Sequence, residues 1–190
     1  MARPRKSAAH SKIGRKVEKT DLTTARKLGK WRDHPVILGL GKVAELADQP
    51  PLYSICAAVA IAGLARRDGR LFRTGIRMLA AEWLATKAKG AIKHRVDRTR
   101  PHVPINGGRY RMEKGHDHAP ELNSFPSGHT AGAVAVARAY ASEYPEHWKT
   151  AALLAGFAGA IQIPRCAHFV SDVGAGALIG LTAGSLVARP

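Results

Sequence analysis

Cysteines, acids and aromatics are all scarce in this 190-residue chain. It has two cysteines, Cys56 and Cys166, and no CxxC pair, which excludes a disulfide framework and a cysteine-based zinc site. Both lie in apolar or helical surroundings, where buried free thiols are expected. Aromatics make up only 6% of the residues, and Trp31 alone interleaves with the basic N-terminal stretch. That is too little for a base-stacking surface. No segment alternates apolar and polar residues as a half-buried strand does.

Acids number 14 against 30 Lys/Arg, a formal net charge of +16. Such a balance suits nucleic acid, an anionic membrane or a phosphorylated substrate, and does not choose among them. Half of the excess is local. Residues 1–33 hold eleven Lys/Arg against Glu18, Asp21 and Asp33, a net +8. This arm reads as disordered or surface-lying and cytoplasmic, ahead of a single domain over 34–190. It is not a signal peptide, since no apolar run begins before Val36.

Beyond the arm the chain is apolar in short pieces. Val36–Ala47 carries Lys42 and Glu45 and reads equally as an interfacial helix or a half-span. Asp48-Gln49-Pro50-Pro51 breaks it. Leu52–Ala65 is uncharged over 14 residues and is followed by Arg66, Arg67, Arg70 and Arg73. Gly75–Ile92, Ser127–Ala141, Thr150–Ile163 and Asp172–Ala188 are further helical segments. Gly156, Gly159, Gly174, Gly176, Gly180 and Gly184 recur at mostly short intervals. Such glycines weaken helices in water but let helices approach closely in a bilayer. The pattern predicts an all-α integral membrane bundle of about five to six helices. With the arm inside and Val36–Ala47 crossing, the positive-inside rule puts the Lys93–Ser127 loop on the external face. That loop contains His116 and His118; no third ligand is fixed near them, so a solvated loop is preferred to a metal site.

Three polar clusters sit at predicted helix ends. Lys93-His94-Arg95-Val96-Asp97-Arg98-Thr99-Arg100-Pro101 reads either as a set of phosphate ligands or as a collar for lipid headgroups. Pro126-Ser127-Gly128-His129 starts a helix. Ser127 can cap it, the backbone amides can seat an anion, and His129 stands beside that seat as a proton donor. In Arg165-Cys166-Ala167-His168-Phe169-Val170-Ser171-Asp172, His168 and Asp172 share a helical face. A carboxylate holding one imidazole nitrogen leaves the other free as a nucleophile.

The ordered set resembles the type 2 phosphatidic acid phosphatase (PAP2) superfamily, which also contains the vanadium haloperoxidases. Lys93 through Arg100-Pro101 fits its KxxxxxxRP motif, Pro126–His129 its PSGH motif, and His168-xxx-Asp172 the end of SRxxxxxHxxxD. The resemblance implies a PAP2/haloperoxidase-like core acting as a lipid phosphate phosphatase in the bacterial inner membrane. His168 would attack phosphorus, Asp172 orient it, and His129 serve as acid and then base. Lys93, Arg100, Ser127 and Gly128 would hold the phosphoryl oxygens. It implies a lipid phosphate substrate, no metal or other cofactor, and no nucleic acid.

One departure is plain. The Ser-Arg of the third motif falls at Ile161-Gln162, so a glutamine stands where a phosphate arginine is expected, and Arg165 is the candidate replacement. A weakly active or non-catalytic phosphate-binding homologue is therefore one alternative. A haloperoxidase, a structural membrane protein without chemistry and a basic nucleic-acid-binding protein are the others, the last leaving His168 and Asp172 unexplained.

Overall fold

The computed structural model describes residues 12–115, 117 and 119–188. His116, His118 and the first eleven residues of the basic arm lie outside the described residues. Eight α-helices occur among them: α1 (Lys12–Gly29), α2 (Pro35–Ala44), α3 (Gln49–Ala65), α4 (Gly69–Lys93), α5 (His102–Ile105), α6 (Gly128–Glu143), α7 (Trp148–Ala160) and α8 (Val170–Val187). Six of these were legible as apolar segments, and the additions are α1 and the single-turn α5. A two-stranded ribbon also forms, β1 (Val96–Arg98) antiparallel to β2 (Met112–Lys114), with Arg98 opposite Met112. Three residues per strand are too few to show alternation in a sequence.

Local chemistry explains the helix starts. Pro50 and Pro51 occupy the first turn of α3, where their missing amide protons cost nothing. The Asp68 carboxylate caps α4, accepting from the amides of Arg70 at 2.9 Å and Leu71 at 3.0 Å. Ser127 caps α6, its hydroxyl accepting from the Thr130 amide at 3.5 Å and the Thr130 hydroxyl at 2.9 Å.

Helices α3, α4, α6, α7 and α8 run up and down between two ends. One end gathers the starts of α3, α6 and α8 with the ends of α4 and α7 around a polar pocket. The opposite end closes where Arg70 Nε donates to the Glu143 carbonyl at 2.8 Å. Central α6 packs against α8, α4 and α7 through small residues, with Ala131, Ala135 and Ala139 fully buried. The facing side of α8 is a glycine seam. A Cβ on Gly176 would come within 2.5 Å of the Ser127 carbonyl oxygen, and one on Gly180 within 2.5 Å of that of Ala131. The four-residue glycine spacing thus brings the two backbones into contact.

The outside of the bundle is apolar: Ile61, Leu64, Leu153 and Leu178 are each at least 66% exposed. Among the described residues, Val170–Val187 is the one helix long and apolar enough to cross a membrane by itself, and Gln49–Ala65 is shorter.

The structure corrects two expectations. Residues 12–29 are helical rather than disordered, with Asp21, Ala25 and Gly29 buried along one face of α1. The first apolar segment does not cross the bundle. Arg32, just before α2, donates to the Asn106 side chain at 3.0 Å, while Glu45, just after it, lines the polar pocket. Both ends of α2 thus lie at the pocket end, and its Val36, Leu38 and Val43 are more than half exposed. The arm and the pocket therefore share a face instead of occupying opposite ones. Basic residues crowd both ends, and the charge asymmetry that placed the pocket outside disappears.

The α6–α8 seam predicts that Gly180→Val will force the helices apart and cost about 1–3 kcal/mol. A lowered thermal midpoint in detergent checks this; an unchanged midpoint contradicts the seam.

Candidate active site

The polar pocket encloses about 520 Å³. Of the eight candidate residues, the structure brings Lys93, Arg100, Gly128, His129, Arg165 and His168 to its wall. The other two, Ser127 and Asp172, are fully buried behind it. Helix ends supply most of these groups. Lys93 closes α4, Gly128 and His129 open α6, and His168 lies two residues before α8. The first amides of α6 have no intrahelical acceptor and carry the positive end of the helix dipole, which suits an anion.

Several of these groups are unsatisfied in a way that fits an anion. Arg100 Nε is buried without a hydrogen-bond partner, and so is His129 Nε2. Glu45 Oε2 lies 3.5 Å from His129 Nε2, an ion-pair distance without hydrogen-bond geometry. Lys93 Nζ donates to the Asn123 carbonyl at 3.2 Å and retains further protons. Burial lowers the pKa of Arg100, and Arg165 adds to that, although Asp172 and Asp48 oppose it. An arriving phosphoryl group would relieve this crowding of like charge.

His168 is held differently from the expectation. Its Nδ1 lies 2.7 Å from the Ser124 carbonyl oxygen and 3.9 Å from Asp172 Oδ2. The longer distance is no hydrogen bond. A carbonyl only accepts, so Nδ1 must carry the proton and Nε2 keeps its lone pair. Asp172 acts one residue removed. Its Oδ2 accepts from the Ser124 hydroxyl at 2.6 Å and from the Phe169 amide at 2.8 Å, while Oδ1 pairs with Arg98. Burial holds the pKa of His168 well below the ordinary imidazole range, with Arg100 and Lys93 reinforcing it. With its proton on Nδ1, the neutral ring leaves the Nε2 lone pair free to form a bond.

The motif arginine's position is filled by buried Gln162, whose Nε2 donates to the Ala158 carbonyl at 3.2 Å. Arg165 reaches the pocket edge, donating to Glu45 Oε1 at 2.6 Å and more weakly to Gln162 Oε1 at 3.5 Å. Glu45, Asp48 and His129 are the one group among the described residues able to gather on a cation, with ligand atoms within 4.8 Å of one another.

Sequence reasoning missed Ser124, Glu45, Lys89 and Arg98. Lys89 lies one turn before Lys93 on the same face of α4, a spacing that could have revealed it. It is 8% exposed and lines the pocket, its Nζ 2.9 Å from where a Gly128 Cβ would stand. Arg98 is two residues before Arg100, but only the fold shows its pairing with Asp172.

The geometry predicts that His168 in phosphate-free protein stays neutral, as its Nδ1–H tautomer, when pH falls to 6.5. Nitrogen-15 NMR of the imidazole checks this; a half-protonated ring at that pH contradicts it.

The lipid A 1-phosphatase of Porphyromonas gingivalis is 36% identical over 86 residues, 43% of this chain; the match spans about a fifth (19%) of that relative's length. The crystal structure of Aquifex aeolicus LpxE superposes with a TM-score of 0.61 at 21% identity, covering 88% of this chain and 94% of that one. The first transmembrane PAP2-type phosphatidylglycerolphosphate phosphatase from Bacillus subtilis gives 0.62 at 19% identity, covering 94% and 86%. Both share the helical bundle fold of this chain. The PAP2 superfamily model matches residues 71–189, from α4 through the last described residues and across all three polar clusters, and the chain belongs to that superfamily.

Proposed function

We propose that this protein is a membrane lipid phosphatase that removes the terminal phosphoryl group of a lipid phosphomonoester or diphosphate through a phosphohistidine at His168. One observation carries the reading: Lys93, Arg100, His129 and His168, from four separate segments, line a single pocket. The lipid part rests on a neighbouring apolar groove of about 660 Å³ lined by Ala44, Leu46, Ile55, Leu154 and Phe157 among others. The turn Glu45–Ala47 joins the two spaces, since Glu45 faces the polar pocket while Leu46 and Ala47 face the groove. A headgroup phosphate and its tail would fit on either side of that turn. The activities named for the relatives, on lipid A and phosphatidylglycerol phosphate, are consistent with this class.

In the proposed reaction, the His168 Nε2 lone pair forms a bond to phosphorus as the bond to the leaving oxygen breaks. His129 gives its proton to that oxygen. Water then attacks phosphorus, His129 takes the water's proton, and the P–N bond breaks to return neutral His168 and release phosphate. Lys93, Arg100 and the Gly128 amide would balance the charge on the equatorial oxygens, which is where most of the acceleration in phosphoryl transfer arises. Ser127, behind the wall, would fix the start of α6, and Asp172 would hold Ser124 and so the His168 ring. Arg165, tied to Glu45 at the pocket edge, would stand in for the missing motif arginine.

A phosphate-binding member with little turnover is the second reading, favoured by Gln162 and by the engagement of Arg165 with Glu45.

Phosphate release from detergent-purified protein, with EDTA present, tests the proposal on phosphatidic acid, phosphatidylglycerol phosphate and a polyprenyl diphosphate. Wild type should release phosphate from at least one, and His168→Ala should lower the rate roughly 10³-fold or more. Equal release by the two proteins, or none from either, would refute it.

A further inference from the structure

Helix α1 is basic on its outer faces and carries one acid on its buried stripe. Asp21 is 3% exposed, in line with buried Ala25 and Gly29. Burying a carboxylate is costly unless it is paired and fully hydrogen-bonded. Asp21 meets that condition at the base of the candidate site. Its Oδ2 accepts from Arg98 Nη2 at 2.8 Å and from the Ser171 hydroxyl, and its Oδ1 accepts from the Ser171 amide at 3.1 Å.

These bonds occupy two consequential positions. Ser171 lies in the first turn of α8, whose N-cap residue Phe169 has no side-chain acceptor to offer, so a carboxylate from another helix caps the turn that carries Asp172. Arg98, 1% exposed, uses its remaining donors on the active-site side. Nη1 donates to Asp172 Oδ1 and to the Ser171 hydroxyl, Nε donates to the Tyr110 hydroxyl at 3.2 Å, and the Phe169 ring lies 4.4 Å beneath the guanidinium. Burial works against the charge on Arg98, but Asp172, Tyr110 and Asp21 outweigh it and keep its pKa above the ordinary value. A continuous chain of hydrogen bonds thus runs from Asp21 through Arg98, Asp172 and Ser124 to His168 Nδ1.

We propose that Asp21, from the N-terminal helix, is a positioning residue for the reaction: it fixes Arg98 and the first turn of α8, and through Asp172 and Ser124 it sets the orientation and tautomer of His168. This rests on the reading of His168 as nucleophile. Without Asp21, Arg98 Nη2 and the Ser171 amide lose their shared acceptor. Arg98 then settles on Asp172 alone, pulling its carboxylate away from the Ser124 hydroxyl. The loop carrying the Ser124 carbonyl, the one group holding His168 Nδ1, loosens with it. Asp21 touches no part of the pocket wall, so substrate binding should be spared.

The test is Asp21→Asn in the full chain, assayed in detergent on a short-chain lipid phosphate, with nitrogen-15 NMR of His168 run in parallel without substrate. We expect kcat to fall at least about tenfold with KM within about twofold of wild type, and the His168 ring to become a mixture of tautomers. Asp21→Glu keeps the charge and should recover part of the kcat. It also serves as the working variant, with a smaller loss of the same kind, if Asp21→Asn does not fold. A folded Asp21→Asn protein with wild-type kcat and a single Nδ1–H tautomer would overturn the proposal, and so would a loss confined to KM or to thermal stability. The NMR readout needs no turnover, so an inactive wild type would refute the phosphatase reading while leaving the positioning role to be decided by the tautomer.

Discussion

The pairing of Asp172 with Arg98 is the contact on which the rest of the site depends. Both side chains are essentially inaccessible to water, in a helical bundle whose outer surface is apolar. Removing one partner from a buried ion pair costs about 3–5 kcal/mol, because the other charge is left without compensation. Here the pair is also a junction. Through it the start of α8, the β1 strand, the Ser124 loop and α1 are fastened to one another. The His168 ring is held at the edge of that junction by a backbone carbonyl, so its position follows from the integrity of the whole cluster.

Packing elsewhere serves the same end. Ser127 N–H donates to the Asp172 carbonyl at 3.1 Å, tying the start of α6 to the start of α8 exactly where the glycine seam begins. Close backbone approach therefore sets the distance between two helix starts, one presenting His129 and free amides, the other following His168. Helix α4 brings Lys89 and Lys93 up beside them. An anion entering this space meets ammonium, guanidinium and amide donors whose desolvation has already been met in folding, which is how preorganised sites stabilise developing charge.

Much of this was legible in the sequence, for a physical reason. Phosphate needs Lys, Arg, His and free amides, and those residue types stand out against apolar helices, so the clusters around Lys93, Gly128 and His168 declared themselves. The α8 glycines were legible because their spacing matches a helical face. The immediate partner of His168 was not, since a carbonyl belongs to every residue and Ser124 carries no mark of its role. The segment holding α1 read as disordered or surface-lying because basic residues dominate it; its buried stripe centres on Asp21, paired 77 residues away with Arg98. The shared face of arm and pocket was missed for a related reason. Val36–Ala47 has the composition of a half-span, and only the contacts of Arg32 and Glu45 show that it starts and ends on one side.

The central claim is that His168 itself becomes phosphorylated. Rapid quenching of the purified protein during turnover of a lipid carrying a radiolabelled terminal phosphate tests it most directly. The account predicts protein-bound label that survives alkali, is lost in acid and maps to His168. Turnover without any bound label, or label mapping to another residue, would contradict it.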